Sequence, residues 1–270
     1  MSQLGRDRVR HRIPLPGGGA LVLAWAARSD IGHRRSANED SVVVASPVFA
    51  VADGMGGHAA GDRASAAAVE HLSPRKGTAF LDIETLQGSL RAAAQDIDTL
   101  AEGIPVGVGT TVTGAVLVLD HDLPVFAVFN IGDSRVYRLT GNELIRVTTD
   151  HSVVQELVDA GLISAEEAES HPESNVITRA LGFRDDPRPD LVMVPATAGL
   201  RLLICSDGLT KELDDDRIRL HLAAGMGAAE TATALVDAAL AAGGRDNVTV
   251  AVVDVIDAPP VQGTPDLGEP

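Results

Sequence analysis

The sequence predicts an α+β fold in which antiparallel sheets are covered by helices. Three observations carry this. Short β-branched and apolar runs follow one another at hairpin distance, so strands cluster with strands. Longer stretches with helical apolar spacing stand between those clusters, which argues against alternating βαβ units. The chain has 270 residues, 45% of them hydrophobic and 22% charged. That is ordinary globular composition and enough length to bury one large core. One domain over residues 20–257 is expected, without repeats or a long linker.

Taken in order, residues 1–19 read as a flexible N-terminal arm ending in Pro14, Pro16 and Gly17 to Gly19. Residues 20–27 read as the first strand. Residues 41–45 and 48–52 flank Ser46-Pro47 and predict a hairpin. Alanine-rich residues 59–72 predict a helix. Leu86, Leu90, Ala93, Ile97 and Leu100 repeat at spacings of four and three and predict another. Residues 111–119 are β-branched, and 125–130 form an apolar run suited to a strand buried on both faces. Strands follow at 135–139 and 143–147, joined by Thr140-Gly141-Asn142. A helix is expected over 152–160, and Ser164 with Glu167 fits a capping box. Strands at 191–194, 202–205 and 248–256 and a helix at 228–241 complete the domain. Residues 258–270, with Pro259, Pro260, Pro265 and Pro270, read as a disordered tail.

The net charge is −16. Nucleic-acid binding needs a basic footprint, so that class is excluded as an expectation. The excess acid is either a solvated surface or carboxylates gathered around bound cations. No apolar run approaches the roughly 20 residues of a membrane span. The arginines before residue 20 are followed by no convincing cleavage region, so no signal peptide is expected. The single cysteine, Cys205, cannot staple the chain and suits a reducing, cytoplasmic compartment.

The acids share one context. Asp53-Gly54, Gly132-Asp133 and Asp207-Gly208 each lie where a strand ends, while Asp246 and the pair Glu39-Asp40 each lead into one. Any one Asp-Gly after a strand is usually only a turn. Five recurrences, far apart in sequence, could instead converge on one rim of a sandwich. Clustered carboxylates raise one another's pKa unless a cation neutralises them. Oxygen ligands without a His or Cys cage favour Mg²⁺ or Mn²⁺ over Zn²⁺. A competing reading would make Cys205 a nucleophile, with Lys211 six residues on in a phosphate-binding loop. That loop chemistry calls for an arginine, and Cys205 closes an apolar strand, so a buried structural thiol is the expectation.

Gly32-His-Arg-Arg35-Ser-Ala-Asn-Glu39-Asp40, Asp53-Gly-Met-Gly-Gly-His58 and Gly107-Val-Gly-Thr-Thr111 come first along the chain. Asn130-Ile-Gly-Asp133-Ser-Arg135, Thr149-Asp-His151, Ile177-Thr-Arg-Ala-Leu-Gly182, Ser206-Asp-Gly208 and Arg245-Asp-Asn-Val-Thr249 follow. In this order and spacing they resemble the metal-dependent PPM (PP2C-type) protein serine/threonine phosphatases in their bacterial form. The resemblance covers about residues 24 to 256. It implies a four-layer α-β-β-α sandwich, two central antiparallel β-sheets flanked by helices. It also implies two catalytic Mn²⁺ or Mg²⁺ ions, with room for a third.

Carried over by motif, Asp53 would bridge the two ions, and Asp207 and Asp246 would complete one ion's shell. Glu39 and the Gly54 carbonyl would serve the other, partly through water. Asp133 with Asp207 matches the third-metal position, and Asp40 would hold metal-bound water. Arg35 would fork onto the substrate phosphate, which a lysine cannot copy. His58 would protonate the leaving alkoxide; its alternative is a helix cap. The implied reaction is direct attack of a metal-bridging hydroxide on phosphorus, without a phosphoenzyme.

Residues 148–182 match the family's flap beside the active site. Glu166, Glu167 and Glu169 there read as a solvated helix face. Asp62 departs mildly from a more common glutamate. The implied partners are phosphorylated proteins and an opposing Ser/Thr kinase, and monomer is the family default. Because the chain stops soon after this domain and is numbered from Met1, a stand-alone phosphatase is the expectation. Two alternatives keep the same fold: a pseudophosphatase that binds a partner protein, and a regulatory phosphatase dedicated to one phosphoprotein.

Overall fold

Side-chain alternation along each central strand divides its residues between two cores. The computed structural model describes residues 1–56, 60–104, 107–183 and 187–259. In chain order the first elements are β1 (Gln3–Gly5), β2 (Arg8–Pro14), β3 (Ala20–Asp30), β4 (Asp40–Ala45), β5 (Val48–Met55), α1 (Gly61–Leu72) and α2 (Ile83–Leu100). Next come β6 (Gly109–Thr110), β7 (Val112–Asp120), β8 (Leu123–Ile131), β9 (Arg135–Thr140), β10 (Glu143–Arg146), α3 (Val153–Asp159) and α4 (Ala165–Glu169). The last are β11 (Asp190–Pro195), β12 (Arg201–Cys205), α5 (Asp207–Thr210), α6 (Asp215–Leu222), α7 (Ala228–Ala242) and β13 (Val248–Asp257).

One sheet runs β1-β4-β5-β7-β8-β11, with β6 paired to β5. The other runs β10-β9-β12-β13-β3-β2. Val42, Val44, Phe49, Val51, Leu117 and Phe126 of the first sheet meet Leu23, Trp25, Leu202, Ile204, Ala251 and Val253 of the second. Trp25 and Phe49 touch edge to face with ring centroids 5.2 Å apart, as aromatic quadrupoles prefer. The intervening residues face outward. Val43, Ala50, Ala127 and Phe129 pack on α1 and α2, and Leu203, Val250 and Val252 pack on α6 and α7. The order helix, sheet, sheet, helix is the four-layer sandwich that the resemblance implied.

Local chemistry explains several elements. Ser46-Pro47 turns β4 into β5, with Ala45 opposite Val48. His121 and Asp122, at φ 47 and 65, make the two-residue turn from β7 to β8. Asp82 caps α2 by accepting from the Thr85 N–H at 2.6 Å. Ser164 and Glu167 form the expected capping box at α4.

The N-terminal expectation is corrected. Residues 1–19 hold two strands rather than only a flexible arm, so residues 20–27 belong to the third strand. β1 lies parallel to β4, the one departure from purely antiparallel sheets among the described pairings, and β2 lies antiparallel to β3. Ile13 and Leu15 are buried in the inter-sheet core. The Trp25 indole N–H reaches the carbonyls of Arg6 (2.9 Å) and Val44 (3.1 Å). Arginines at every second position hid the inward-facing Ile13 and Leu15. The short elements β6, α5 and α6 were also not anticipated. Of the expected tail, residues 260–270 lie outside the described residues. Among the described residues no helix is long and apolar enough to cross a membrane.

Candidate active site

Strand pairing sets the first two acids opposite each other. Asp40 opens β4, Asp53 lies near the end of β5, and the register makes them cross-strand partners. Like charges so placed repel. Asp40 is fully buried. Its Oδ2 accepts from the Ser206 hydroxyl at 2.9 Å, a bond that crosses from one sheet to the other. Its Oδ1 is buried without a partner. Burial, with Asp207 and Asp246 nearby, pushes its pKa up to about 7, although bonds from Thr249 and Ser206 oppose the shift.

The backbone of Asp53 is clamped. Its N–H donates to Thr111 Oγ1 (3.1 Å), and its carbonyl accepts from the Thr110 hydroxyl and the Thr111 N–H, both at 2.9 Å. Thr111 Oγ1 in turn meets Ser134 Oγ at 3.0 Å. Burial, then the charges of Asp40, Asp207, Asp133 and Asp246, raise the Asp53 pKa well above the carboxylate range. Acids from five chain segments therefore act on one another here.

Glycine is required beside Asp53. A Cβ at Gly54 would collide with the carbonyls of Gly61 and Glu39. Glu39 lies against the start of α1, where a Cβ at Gly61 would come within 2.9 Å of Glu39 Oε1. The Glu39 N–H donates to Asn247 Oδ1 at 2.8 Å. Asn247 also donates to the carbonyls of Ile31 (2.9 Å) and Ala37 (3.0 Å). One buried amide thus ties the Arg35 loop to the start of β13. Arg35 is 49% exposed and donates to Asp246 Oδ2 at 2.7 Å. Asp53 and Glu39 also act on its guanidinium.

Asp133 follows Gly132, whose φ of +115° lies in the left-handed region. Burial and then Asp207 push the Asp133 pKa up to about 7, against the charge of Lys211. The Gly132 N–H donates to His151 Nδ1 (3.1 Å) and its carbonyl accepts from the His151 N–H (2.9 Å). An accepting Nδ1 leaves the neutral ring's proton on Nε2, which faces Asp190 Oδ2 at 3.2 Å. Arg179 holds the other Asp190 oxygen at 2.9 Å. His151, with Arg179 and Asp190, is thereby joined to the Asp133 turn, and Leu181 bridges to Thr110 beside the Asp53 clamp. A cleft of about 670 Å³ opens next to Ile131, between Thr178, Arg179, Phe183 and Asp190.

Asp207 starts α5. Its Oδ2 pairs with the Lys211 ammonium, and its Oδ1 is buried without a partner. Among the described residues, no three His, Cys, Asp or Glu groups close into a metal cage made of side chains alone. The rim nonetheless fits divalent cations, because the buried, partnerless Oδ1 atoms of Asp40 and Asp207 need positive charge that the chain does not give them.

Of the nine singled-out residues, eight lie in or beside this rim, and His58 lies outside the described residues. Sequence reasoning assigned no role to Ser206, Thr249, Asn247 or Thr111, and weighed Lys211 only in the rejected cysteine reading. Their motifs were visible, but a hydroxyl or amide that holds a neighbour leaves no distinctive spacing. Cys205 is fully buried, and burial pushes its thiol up to about 12, which excludes a resting thiolate.

Residues 33–242 match the family model described as protein phosphatase 2C. The chain is 45% identical over 242 residues to a serine/threonine protein phosphatase, PstP, of Mycobacterium tuberculosis, covering 88% of this chain. It spans about half (46%) of that relative's length. It is 37% identical over 240 residues to a serine/threonine phosphatase, stp, of Listeria welshimeri, covering 84% of this chain and 94% of that one. A crystal structure of the PstP catalytic domain in complex with two manganese ions is similar at TM-score 0.77 and 40% identity. That match covers 88% of this chain and all of the other. With its motifs, its layers and its carboxylate rim in agreement, this chain belongs to the protein phosphatase 2C family.

Proposed function

We propose that this chain hydrolyses phosphoserine and phosphothreonine in proteins with divalent cations, Mn²⁺ or Mg²⁺, held at the carboxylate rim. The observation that carries this reading is the convergence of Asp40, Asp53, Asp133, Asp207 and Asp246 from separate strand ends beneath Arg35. The names of the relatives and the manganese in the PstP structure support it.

In this reading Asp53, Asp207 and Asp246 would hold one cation, and Asp53, Glu39 and the Gly54 carbonyl would hold a second. Asp133 completes the rim beside Asp207. Bound cations would supply Lewis-acid charge at phosphate oxygens and acidify water at neutral pH. Arg35, half-exposed beside Asp246, would fork onto two phosphate oxygens. Asp40 orients water through its partnerless Oδ1. His58 gives the departing serine or threonine oxygen its proton. The cleft beside Ile131 accommodates residues flanking the phosphorylated side chain. The partners are phosphorylated proteins, with a serine/threonine kinase acting in opposition.

The test is hydrolysis of p-nitrophenyl phosphate and then of a phosphothreonine peptide, with EDTA and with added Mn²⁺ or Mg²⁺, beside Asp207→Asn. Activity that needs metal and is lost in the variant is expected. Full activity of Asp207→Asn would sink the metal assignment. Folded protein inert with every ion would sink the reaction itself.

A further inference from the structure

Lysine is scarce in this chain, with Lys76 and Lys211 against twenty arginines. One of the two stands at the carboxylate rim. Lys211 follows Asp207 by four residues, so one turn of α5 brings its ammonium back over that carboxylate. The pair is formed through Asp207 Oδ2. The Lys211 backbone is fixed on both sides. Its N–H donates to the Asp207 carbonyl at 2.8 Å, and its own carbonyl accepts from Arg245 at 2.7 Å. Arg245 is itself held by Glu212 at 2.9 Å. The lysine stem therefore starts from an anchored point, and its side chain is only 35% exposed.

The charge reaches further than Asp207. Burial works against the ammonium, yet Asp207, with Asp133 and Asp246 behind it, holds its pKa above the ordinary lysine value. In return Lys211 opposes the upward shift at Asp133.

A carboxylate has two oxygens to give. At Asp207 one is taken by the ammonium, and the other is buried without a partner. A metal ion would meet that second oxygen without competing with the ammonium. A divalent ion at Asp207 Oδ2 would have to displace Lys211 or sit against its positive charge.

We propose that the Lys211 ammonium takes the place of a metal ion at Asp207. The rim then binds one divalent ion fewer than its carboxylates could otherwise hold. This rests on the phosphatase reading above and specifies the metal content of that site. Lysine suits the role because its ammonium is a compact point charge with three donors.

The test counts ions rather than turnover. The metal-stripped 270-residue chain is titrated with Mn²⁺, free Mn²⁺ is followed by electron paramagnetic resonance, and folding is checked by circular dichroism. Lys211→Met and Lys211→Gln are each expected to bind one ion more per chain than the wild type, and Lys211→Arg the wild-type number. Equal stoichiometry in wild type and both neutral variants, with Mn²⁺ bound in each, would overturn this proposal and leave the phosphatase reading standing. Folded proteins that bind no Mn²⁺ at all would overturn the metal reading and this proposal together.

Discussion

Arg35 donates to Asp246 Oδ2 at 2.7 Å, joining a half-exposed loop residue to the acid that precedes β13. The guanidinium therefore rests on a carboxylate that the phosphatase reading gives to a cation. The same fork suits two phosphate oxygens. Arg35→Lys should raise KM for a phosphothreonine peptide about tenfold with a smaller change in kcat, and Arg35→Ala should lower kcat/KM about 100-fold. Steady-state kinetics check this, and an unchanged KM in both variants would remove Arg35 from phosphate binding.

Asn247 makes three hydrogen bonds from one buried side chain, to the Glu39 N–H and to the carbonyls of Ile31 and Ala37. Asn247→Ala leaves these backbone groups unpaired, at about 1–3 kcal/mol for each one that stays buried. An overall loss of about 3 kcal/mol is expected in chemical denaturation. Mn²⁺ affinity should fall with it, because the Glu39 backbone loses its anchor. A variant as stable as wild type would show that the loop holds itself.

Asp40 is buried with its pKa pushed up to about 7. A folded-state value above the unfolded one, about 4, means the folded chain binds this proton more tightly. The resulting stabilisation is present below about pH 4 and is lost as the pH rises through about 7. Metal-free protein should therefore show a falling Tm across that window, and Asp40→Asn should flatten the fall. Differential scanning calorimetry in EDTA tests it; a Tm that rises with pH would contradict the assignment.

Cys205 is fully buried and its thiol is pushed up to about 12. Cys205→Ala should retain phosphatase activity while losing about 1 kcal/mol of stability to the small cavity. Iodoacetamide near pH 8 should leave the native chain unmodified, as mass spectrometry would record. Loss of activity in a folded Cys205→Ala protein would revive the cysteine mechanism.

The central elements were legible because burial on a period of two or 3.6 is written in consecutive residues. Val42 to Val44, Phe49 to Val51 and Leu86 to Ile97 face the cores that their spacing announced. β2 was not, since Arg8, Arg10 and Arg12 are exposed on an edge strand of which Ile13 alone is buried. α5, of four residues, is too short to show a period. The rim acids could be singled out because one context recurred five times. What held them could not, because Ser206, Thr111 and Asn247 act through bonds to residues 58 to 216 positions away.

By itself, then, the sequence determined the class of fold, the family resemblance and the acids on which chemistry depends, all of which reside in local pattern and motif. Only the tertiary structure decided that Asp40 faces Asp53 and that Ser206 links the sheets. It alone set Lys211 against one oxygen of Asp207 and left the other bare. Motifs record which side chains are present. Whether a carboxylate meets a hydroxyl, an ammonium or nothing depends on strand register and sheet packing, which join residues that no local spacing connects.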